Sequence, residues 1–233
     1  MKKGRLYLLP MTLGDSAVND VIPNNILEHI IQFKHLVVEN IKTTRRYLKK
    51  IDREVDIDSI SFYELNKHTQ PEQVNSFLNP CLDGHDVGMI SEAGCPAVAD
   101  PGSDLVSIAH KRGIRVTPYV GPNSILMALM GSGFNGQSFK FNGYLTRDKS
   151  KRKHEIRGLE SDARKGTTQL FMETPFRNQQ FLEDLLATLH PETMLCIAAD
   201  ITLEAEFIQT HPVHFWKKNI PNLHKRPCIF VLD

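Results

Sequence analysis

The sequence lacks long apolar runs, because charged or polar residues interrupt each hydrophobic stretch well before the roughly 18 residues needed to span a bilayer. Its first residues, 1–4, lead directly into a strand-like segment and show no signal-peptide cleavage pattern. We therefore expect a cytoplasmic protein with no membrane association.

Cysteine is also scarce. The four cysteines among 233 residues are far apart and form no C-x-x-C pair, so the sequence predicts neither a disulfide framework nor a zinc site. The ten histidines include one close pair, His211 and His214, with no third candidate ligand nearby in the sequence. We therefore expect no metal site.

Neither sign of charge is in large excess, since the net charge is +1, which argues against a surface covered with phosphate-binding groups. The charge is nevertheless uneven. Between residues 147 and 165 there are eight Lys or Arg against four Asp or Glu. This segment could present a local basic face to a nucleic acid, or it could be a solvated helix of mixed charge.

No G-x-G-x-x-G motif follows the first strand, which disfavours a dinucleotide site. Strand and helix patterns alternate through residue 119, as in a parallel sheet with helical crossovers. Consecutive strand patterns at 194–199, 204–209 and 227–232 lack long crossovers and must pair antiparallel. We predict two α/β domains, residues 1–119 with a mainly parallel sheet and 120–233 with a mixed sheet, and a ligand cleft between them.

The segment 86–104 is the first candidate for chemistry. A short apolar strand, Val87–Ile90, is followed by the small residues Ser91, Ala93 and Gly94, which leave backbone groups open to a ligand. Asp100 and Pro101 then have the pattern of an N-cap and a first helical residue. An ordinary connection between a strand and a helix would have a similar composition.

A second candidate is Glu39, which lies at the predicted carboxyl end of the second strand, where open α/β sheets bind ligands. A charged residue in this position indicates either a functional site or a surface ion pair.

Several segments, in this order, resemble the tetrapyrrole-methylase superfamily of S-adenosylmethionine-dependent methyltransferases. The similarity covers nearly the whole chain and is strongest to the branch that methylates ribose 2′-oxygens in small-subunit ribosomal RNA. The segments that carry it are residues 6–10 (LYLLP), 13–15 (LGD), 39–42 (ENIK), 90–96 (ISEAGCP), 100–102 (DPG), 121–124 (GPNS) and 171–177 (FMETPFR).

The resemblance implies a homodimer of two-domain subunits that binds S-adenosylmethionine in the interdomain cleft, largely through backbone groups. By position, the cofactor would be lined by Pro10, Ser91, Glu92, Ala93, Gly94, Ser124, Met172, Ala198 and Pro227. The implied reaction is attack of a ribose oxygen, expected to belong to a cytidine, on the sulfonium methyl group, while the protein positions the two reacting atoms and excludes water.

The implied acceptor is ribosomal RNA or the small ribosomal subunit. Glu39, Lys42 and His68 are the candidates for the catalytic groups, and each could instead bind substrate phosphate or stabilise its loop. The candidate contacts to RNA phosphates are Lys149, Lys151, Arg152, Lys153 and Arg177.

The sequence departs from the branch at residues 198–203, where A-R-E-L-T-K is replaced by A-A-D-I-T-L. The arginine of the branch's E-D-T-R element is Lys42, which keeps the charge but loses bidentate geometry. These changes leave the predicted cofactor pocket nearly intact and weaken the argument for the same RNA acceptor. A small-molecule acceptor, or a non-catalytic module that binds the cofactor or RNA, remains open.

Overall fold

The computed structural model describes residues 2–233, and the chain divides into two compact units, one ending at Asn123 and the other comprising Ser124–Asp233. Within the described residues, no helix has both the length and the apolar character required to cross a bilayer. The first unit contains β1 (Arg5–Leu8), α1 (Val18–Val21), α2 (Asn24–Ile30), β2 (His35–Val38), α3 (Ile41–Ile51), β3 (Ser61–Glu64), α4 (Pro71–Ser76), α5 (Asn79–Leu82), β4 (Val87–Ile90), α6 (Gly102–Lys111) and β5 (Arg115–Pro118).

The five strands of the first unit form one sheet in the order β3-β2-β4-β1-β5, and every pair in it is parallel. This confirms the predicted parallel sheet. One face packs against α2 and α3 around Leu9, Ile30 and Leu48, and the other packs against α4 and α6 around Leu6 and Leu105. Because both faces are covered, the central strand β4 is buried at all four positions.

Strands β1 and β4 are neighbours in the sheet. The chain after β1 continues to β2 on one side of this pair, and the chain after β4 continues to β5 on the other side. Such a reversal of strand order opens a crevice beyond the carboxyl ends of the two strands. The segments that follow β1 and β4, which include the first candidate segment, therefore meet at the edge where α/β sheets bind ligands.

The second unit contains α7 (Ser124–Ser132), β6 (Phe139–Tyr144), α8 (Lys149–Ala163), β7 (Thr168–Met172), α9 (Asn178–Thr188), β8 (Met194–Ala199), β9 (Phe207–Pro212), α10 (Val213–Trp216) and β10 (Cys228–Leu232). Its sheet has the order β6-β7-β10-β8-β9. Strands β6 and β7 are parallel and the other pairs are antiparallel, which confirms the predicted mixed sheet.

Helices α8 and α9 cover one face of this second sheet, where Phe171, Phe181 and Phe230 pack together. Helix α7 packs against β8, β9 and β10. Its buried residues, Ala128 and Leu129, lie outside the core formed by α8 and α9, so α7 covers the opposite face.

The ninth strand begins later than its sequence pattern predicts, at Phe207 instead of residue 204. The preceding residues form a turn in which Asp200 and Thr202 have φ of 50° and 71°. The amide of Leu203 donates to the carbonyl of Asp200 at 3.0 Å. The amide of Glu206 donates to the carbonyl of Leu203 at 2.9 Å, so the turn extends through residue 206 and the expected strand start at 204 was wrong.

Candidate active site

The segments after β1 and β4 are joined by a pair of backbone hydrogen bonds. The amide of Met11 donates to the carbonyl of Gly94 at 2.9 Å, and the amide of Gly94 donates to the carbonyl of Met11 at 3.1 Å. Gly94 has φ of 69°, and a Cβ there would lie 3.2 Å from the carbonyl oxygen of Pro122. Only glycine meets both demands without strain, so the bridge fixes the path of the loop.

Two further contacts fix the neighbouring backbone at Pro10. The hydroxyl of Tyr47, a buried residue of α3, donates to the carbonyl of Pro10 at 2.9 Å. Burial raises the pKa of Tyr47, so this phenol stays neutral and remains a donor. A Cβ at Gly121 would lie 2.1 Å from the Cβ of Pro10, which shows how closely the two chain segments approach.

Glu39 follows β2 directly, and one of its carboxylate oxygens, Oε2, accepts a hydrogen bond from the amide of Glu92 at 3.1 Å. Burial is the main cause that raises the pKa of Glu39 above its usual range. The hydrogen bond from Glu92 lowers it, while the charges of Glu92 and Asp100 raise it further. A carboxyl group of this kind at a strand end can accept or hold a proton.

Asp100 organises the loop after β4. Both of its carboxylate oxygens accept from the amide of Ala97 at 2.9 Å, and one accepts from Gly102 at 2.7 Å. Ala97 and Ala99 have φ of 66° and 61°, an uncommon conformation for alanine that these hydrogen bonds help to maintain. Burial raises the pKa of Asp100, although the hydrogen bonds to its carboxylate oppose the shift.

The predicted helix start near Asp100 was shifted by one residue. Helix α6 begins at Gly102, with Pro101 in the cap position. The aspartate still caps the helix, because its side chain accepts from the Gly102 amide.

Glu39, Ser91 and Asp100 line one small pocket at the carboxyl edge of the parallel sheet. Apolar residues of β2 and β4, among them Val38 and Ile90, form much of its wall. This wall desolvates both carboxyl groups and explains why burial is the first cause of each raised pKa. The pocket therefore combines two groups able to exchange a proton with a partly dry environment.

The other two candidate catalytic residues lie outside the lining of this pocket. Lys42 is exposed in the first turn of α3, where the side chain of Asn40 caps the helix through the Thr43 amide at 3.1 Å. His68 is exposed in the loop after β3, and its amide donates to Oδ1 of Asn66 at 2.9 Å. Both follow the carboxyl ends of strands adjacent to the pocket, because β2 and β3 pair in parallel.

Glu92 and Ala93 are exposed, whereas Ser91 and Gly94 are buried. Oε1 of Glu92 accepts from the hydroxyl of Thr43 at 3.3 Å, which connects the loop after β4 with α3. Next to this contact, a cavity of about 280 Å³ is lined by Met11, Thr12, Leu13, Gly14, Asp15, Thr43, Arg46, Tyr47, Lys50 and Glu92. The loop after β1 thus borders the cavity through residues 11–15.

In the second unit, Met172 and Ala198 lie on the same face of the sheet. The registers pair Ile229 of β10 with Met172 on one side and with Ala198 on the other, so the three residues form a row. Phe171 and Ile197 belong to the core under α8 and α9, so the row lies on the face covered by α7. Ser124, another predicted cofactor contact, is the first residue of α7.

Pro227 is exposed just before β10, and its carbonyl accepts from the amide of Asp200 at 3.0 Å. Arg226 completes this turn. Its Nε donates to Oδ2 of Asp200 at 2.5 Å, and its two terminal nitrogens donate to the carbonyls of Ala205 at 2.7 Å and Asn222 at 3.2 Å. Sequence reasoning missed Arg226, since 26 residues separate it from Asp200. It supplies a positive charge beside the segment in which the family's arginine is replaced.

The predicted RNA contact Arg177 is held within its own turn. The buried carboxylate of Glu173 accepts from the guanidinium of Arg177, and Nε of Arg177 donates to the hydroxyl of Thr174 at 3.1 Å. The Glu173 carboxylate also accepts from the amide of Thr174 at 2.6 Å. The ion pair thus stiffens the connection between β7 and α9.

The basic residues of α8 differ in their surroundings. Lys149, Lys151 and Lys153 are exposed. The side chain of Arg152 is only 11% exposed, and its guanidinium forms an ion pair with Asp184 of α9. The three lysines are therefore accessible to a phosphate, whereas Arg152 links two helices.

Comparison with known proteins identifies relatives over most of the chain. Residues 29–214 match the family described as Tetrapyrrole (Corrin/Porphyrin) Methylases. Ribosomal RNA small subunit methyltransferase I of Leptospira borgpetersenii serovar Hardjo-bovis is 34% identical over 213 residues, which are 89% of this chain and 80% of that protein. The protein of the same name from Escherichia coli O157:H7 is 26% identical over 234 residues, or 99% of this chain and 78% of that protein.

Two solved structures share the fold. The methyltransferase CobJ has a TM-score of 0.64 at 14% identity, covering 98% of this chain and 93% of that one. Uroporphyrin-III-C-methyltransferase from Thermus thermophilus has a TM-score of 0.56 at 16% identity, covering 99% and 94%. At these identities the likeness shows the fold alone.

Proposed function

Because the chain belongs to the tetrapyrrole methylase family and is an S-adenosylmethionine-dependent methyltransferase, we propose that it methylates small-subunit ribosomal RNA at a ribose 2′-oxygen, in a cytidine. The identity of 34% to a protein named for this RNA supports the proposed acceptor. The observation that carries the reaction type is the pocket that holds Glu39 and Asp100 at the carboxyl edge of the parallel sheet.

The cofactor S-adenosylmethionine would supply an electrophilic methyl group. The residues of the first unit fit such a ligand, because the Met11–Gly94 bridge holds the loops after β1 and β4 together beside a cavity that residues 11–15 and Glu92 help to line. We assign Pro10 and residues 91–94 to cofactor binding on this ground. In the second unit we assign Met172, Ala198, Ser124 and Pro227, of which Met172 and Ala198 share one sheet face.

For the acceptor, we assign to Glu39 the role of general base. Its raised pKa makes its carboxylate a better proton acceptor than an ordinary glutamate, and the amide of Glu92 fixes its orientation. It would take the proton of the ribose hydroxyl as that oxygen becomes a nucleophile. Lys42 and His68, both exposed beside the same sheet edge, would contact the acceptor or its phosphates.

We assign the exposed lysines 149, 151 and 153 to RNA phosphates, contacts that position a substrate without reading its sequence. We propose that Arg152 and Arg177 add positive charge to this basic set while each stays paired with a carboxylate of its own unit, Asp184 and Glu173 respectively. Phosphate contacts of this kind would make RNA binding weaker at higher salt.

We further propose a cytoplasmic homodimer. Large apolar side chains are exposed in the second unit, among them Met130 of α7 at 82% and Tyr144 of β6 at 57%. Burying such groups against a second copy would be favourable. Light scattering on the purified protein and on a Met130→Lys variant tests this: the wild type should have twice the mass of one chain, and the variant should dissociate more readily.

The proposed function is tested by transfer of labelled methyl from S-adenosylmethionine to small ribosomal subunits from a strain that lacks this gene, followed by mapping of the modified nucleotide. The matched control is subunits from the parent strain, which already carry the modification and should accept little label. Label in a ribose 2′-oxygen is the expected result. Absence of RNA label, with cofactor binding intact, would contradict the ribosomal acceptor and direct the search to small molecules or to a binding role.

A further inference from the structure

Phe176 is a large aromatic side chain that contributes to none of the cores described above. It follows β7, and its side chain is 71% exposed. Leaving a phenylalanine in water gives up the stabilisation that its burial would provide. Four residues before it, Met172 ends β7 and belongs to the row proposed to contact the cofactor. The exposed ring thus lies close in sequence to the proposed functional residues of the second unit.

The backbone on both sides of Phe176 is fixed. The amide of Arg177 donates to the carbonyl of Thr174 at 2.8 Å, which closes a turn around residues 175 and 176. The amide of Lys225 donates to the carbonyl of Pro175 at 3.0 Å, so a second loop supports the turn from the side. The buried Glu173 then holds the Arg177 side chain. The ring therefore projects from a rigid turn, which lowers the entropy cost of using it in binding.

The surroundings of the ring are basic. Nζ of Lys225 lies 5.9 Å from the centre of the Phe176 ring, within the range of a cation–π contact. Arg177, whose guanidinium is paired with Glu173, is next in the chain, and Lys225 itself is exposed. An accessible aromatic ring with cations beside it matches a nucleic acid, which offers a flat base to the ring and phosphates to the cations.

We propose that Phe176 is a stacking platform for an unpaired base of the RNA substrate, with Lys225 contacting an adjacent phosphate. The inference deepens the proposed function and rests on it for the identity of the RNA. A single-stranded segment is required, because the face of a base inside a duplex is covered by its neighbours. The cations favour RNA over a protein partner, whose apolar patch would gain little from them.

The test compares Phe176→Ala with Phe176→Tyr in steady-state methylation of small subunits. Removal of the ring should raise KM for RNA about tenfold, in line with the measured strength of base stacking, whereas tyrosine should preserve it. KM for S-adenosylmethionine should not change. Phe139→Ala is the matched control, because Phe139 is also exposed, at 41%, but pairs with Thr168 at the opposite end of β7.

Direct binding separates this inference from the proposed function. Single-stranded and fully duplex oligoribonucleotides containing the fluorescent base 2-aminopurine serve as probes. The wild type should quench the single-stranded probe and bind it more tightly than Phe176→Ala does, while Lys225→Gln should show a smaller dependence on salt. If the wild type methylates no RNA but these differences hold, the stacking platform stands and the proposed acceptor fails.

Equal KM and equal single-strand affinity in the wild type and in Phe176→Ala would overturn the platform, while the methylation assay would still support the proposed function. The stacking platform would also be overturned if Phe176→Ala had the mass of a single chain while its affinity for RNA was unchanged. That result would identify the ring as a contact between subunits.

Discussion

The two units differ in how they stabilise their buried and half-buried carboxylates. In the second unit, Glu173, Asp184 and Asp200 each form an ion pair with an arginine. In the first unit, the carboxylates of Glu39 and Asp100 accept from backbone amides, and within residues 2–233 neither takes part in a salt bridge.

The difference separates structure from chemistry. A carboxylate paired with an arginine links segments of the chain, so it supports the fold. Burial in the pocket raises the pKa of Glu39 and Asp100, although the amide hydrogen bonds oppose the shift, so each accepts a proton more readily than an exposed carboxylate. Removing a charge should therefore cost stability in the second unit and activity in the first.

The largest effect is expected for Arg226→Ala. The substitution leaves the Asp200 carboxylate buried without its cation and removes the donors to the carbonyls of Ala205 and Asn222. Breaking a buried pair by removing one partner costs about 3–5 kcal/mol. Urea denaturation should show a loss of this size in the free energy of unfolding.

The matched control for that experiment is Lys165→Ala. Lys165 pairs with Asp162, but both side chains are largely exposed, so the loss should stay within about 0.5 kcal/mol. Similar losses for the two variants would show that the Asp200–Arg226 pair is no more than a surface contact.

The next effect is expected for Glu39→Gln. The amide keeps the size of the side chain and can still accept from the Glu92 amide, but it cannot accept a proton. If Glu39 is the general base, kcat for methyl transfer should fall at least about a hundredfold, while the thermal midpoint stays close to that of the wild type.

Asp20→Asn, which changes an exposed carboxylate of α1, is the control and should leave kcat unchanged. An active Glu39→Gln enzyme would assign the proton transfer to another group or to solvent. A large loss of stability in Glu39→Gln would instead show that Glu39 has a structural role, like the paired carboxylates of the second unit.

The sequence was sufficient to predict both sheets, because their signals are local. The strands Val87–Ile90 and Met194–Ala199 were predicted with the observed bounds, since each is a short apolar run bounded by polar or special residues. The start of β9 was wrong, because residues 200–206 form a turn in which the Thr202 amide donates to Oε2 of Glu206 and the Asp200 side chain pairs with Arg226, 26 residues away. The strand-like pattern of residues 204–209 does not reveal that turn.

The candidate site was predictable in its residues but not in its contacts. Position after a strand was enough to select Glu39, whereas its hydrogen bond to Glu92 joins residues 53 apart in the chain. The basic composition of residues 147–165 pointed to four of the candidate phosphate contacts, yet it could not separate the exposed Lys151 from Arg152, which Asp184 of another helix engages. Burial and pairing of this kind depend on tertiary structure, which no local pattern encodes.

The smallest effect concerns the pH dependence of stability, and its sign differs between two carboxylates of the first unit. Burial raises the pKa of Glu39 above 4.5, so the folded state binds its proton more tightly and stability falls as pH rises through the folded pKa. Glu39→Gln should therefore gain stability relative to wild type as pH rises.

Asp15 is the reverse case: Lys50 lowers its pKa below 3.8, so Asp15→Asn should lose stability at neutral pH, and the loss should vanish as pH falls. Urea titrations between about pH 3 and about pH 8 should give opposite slopes for the two differences. Parallel slopes would mean that the Glu39 pocket does not desolvate its carboxylate and that the contrast between the two units is not electrostatic.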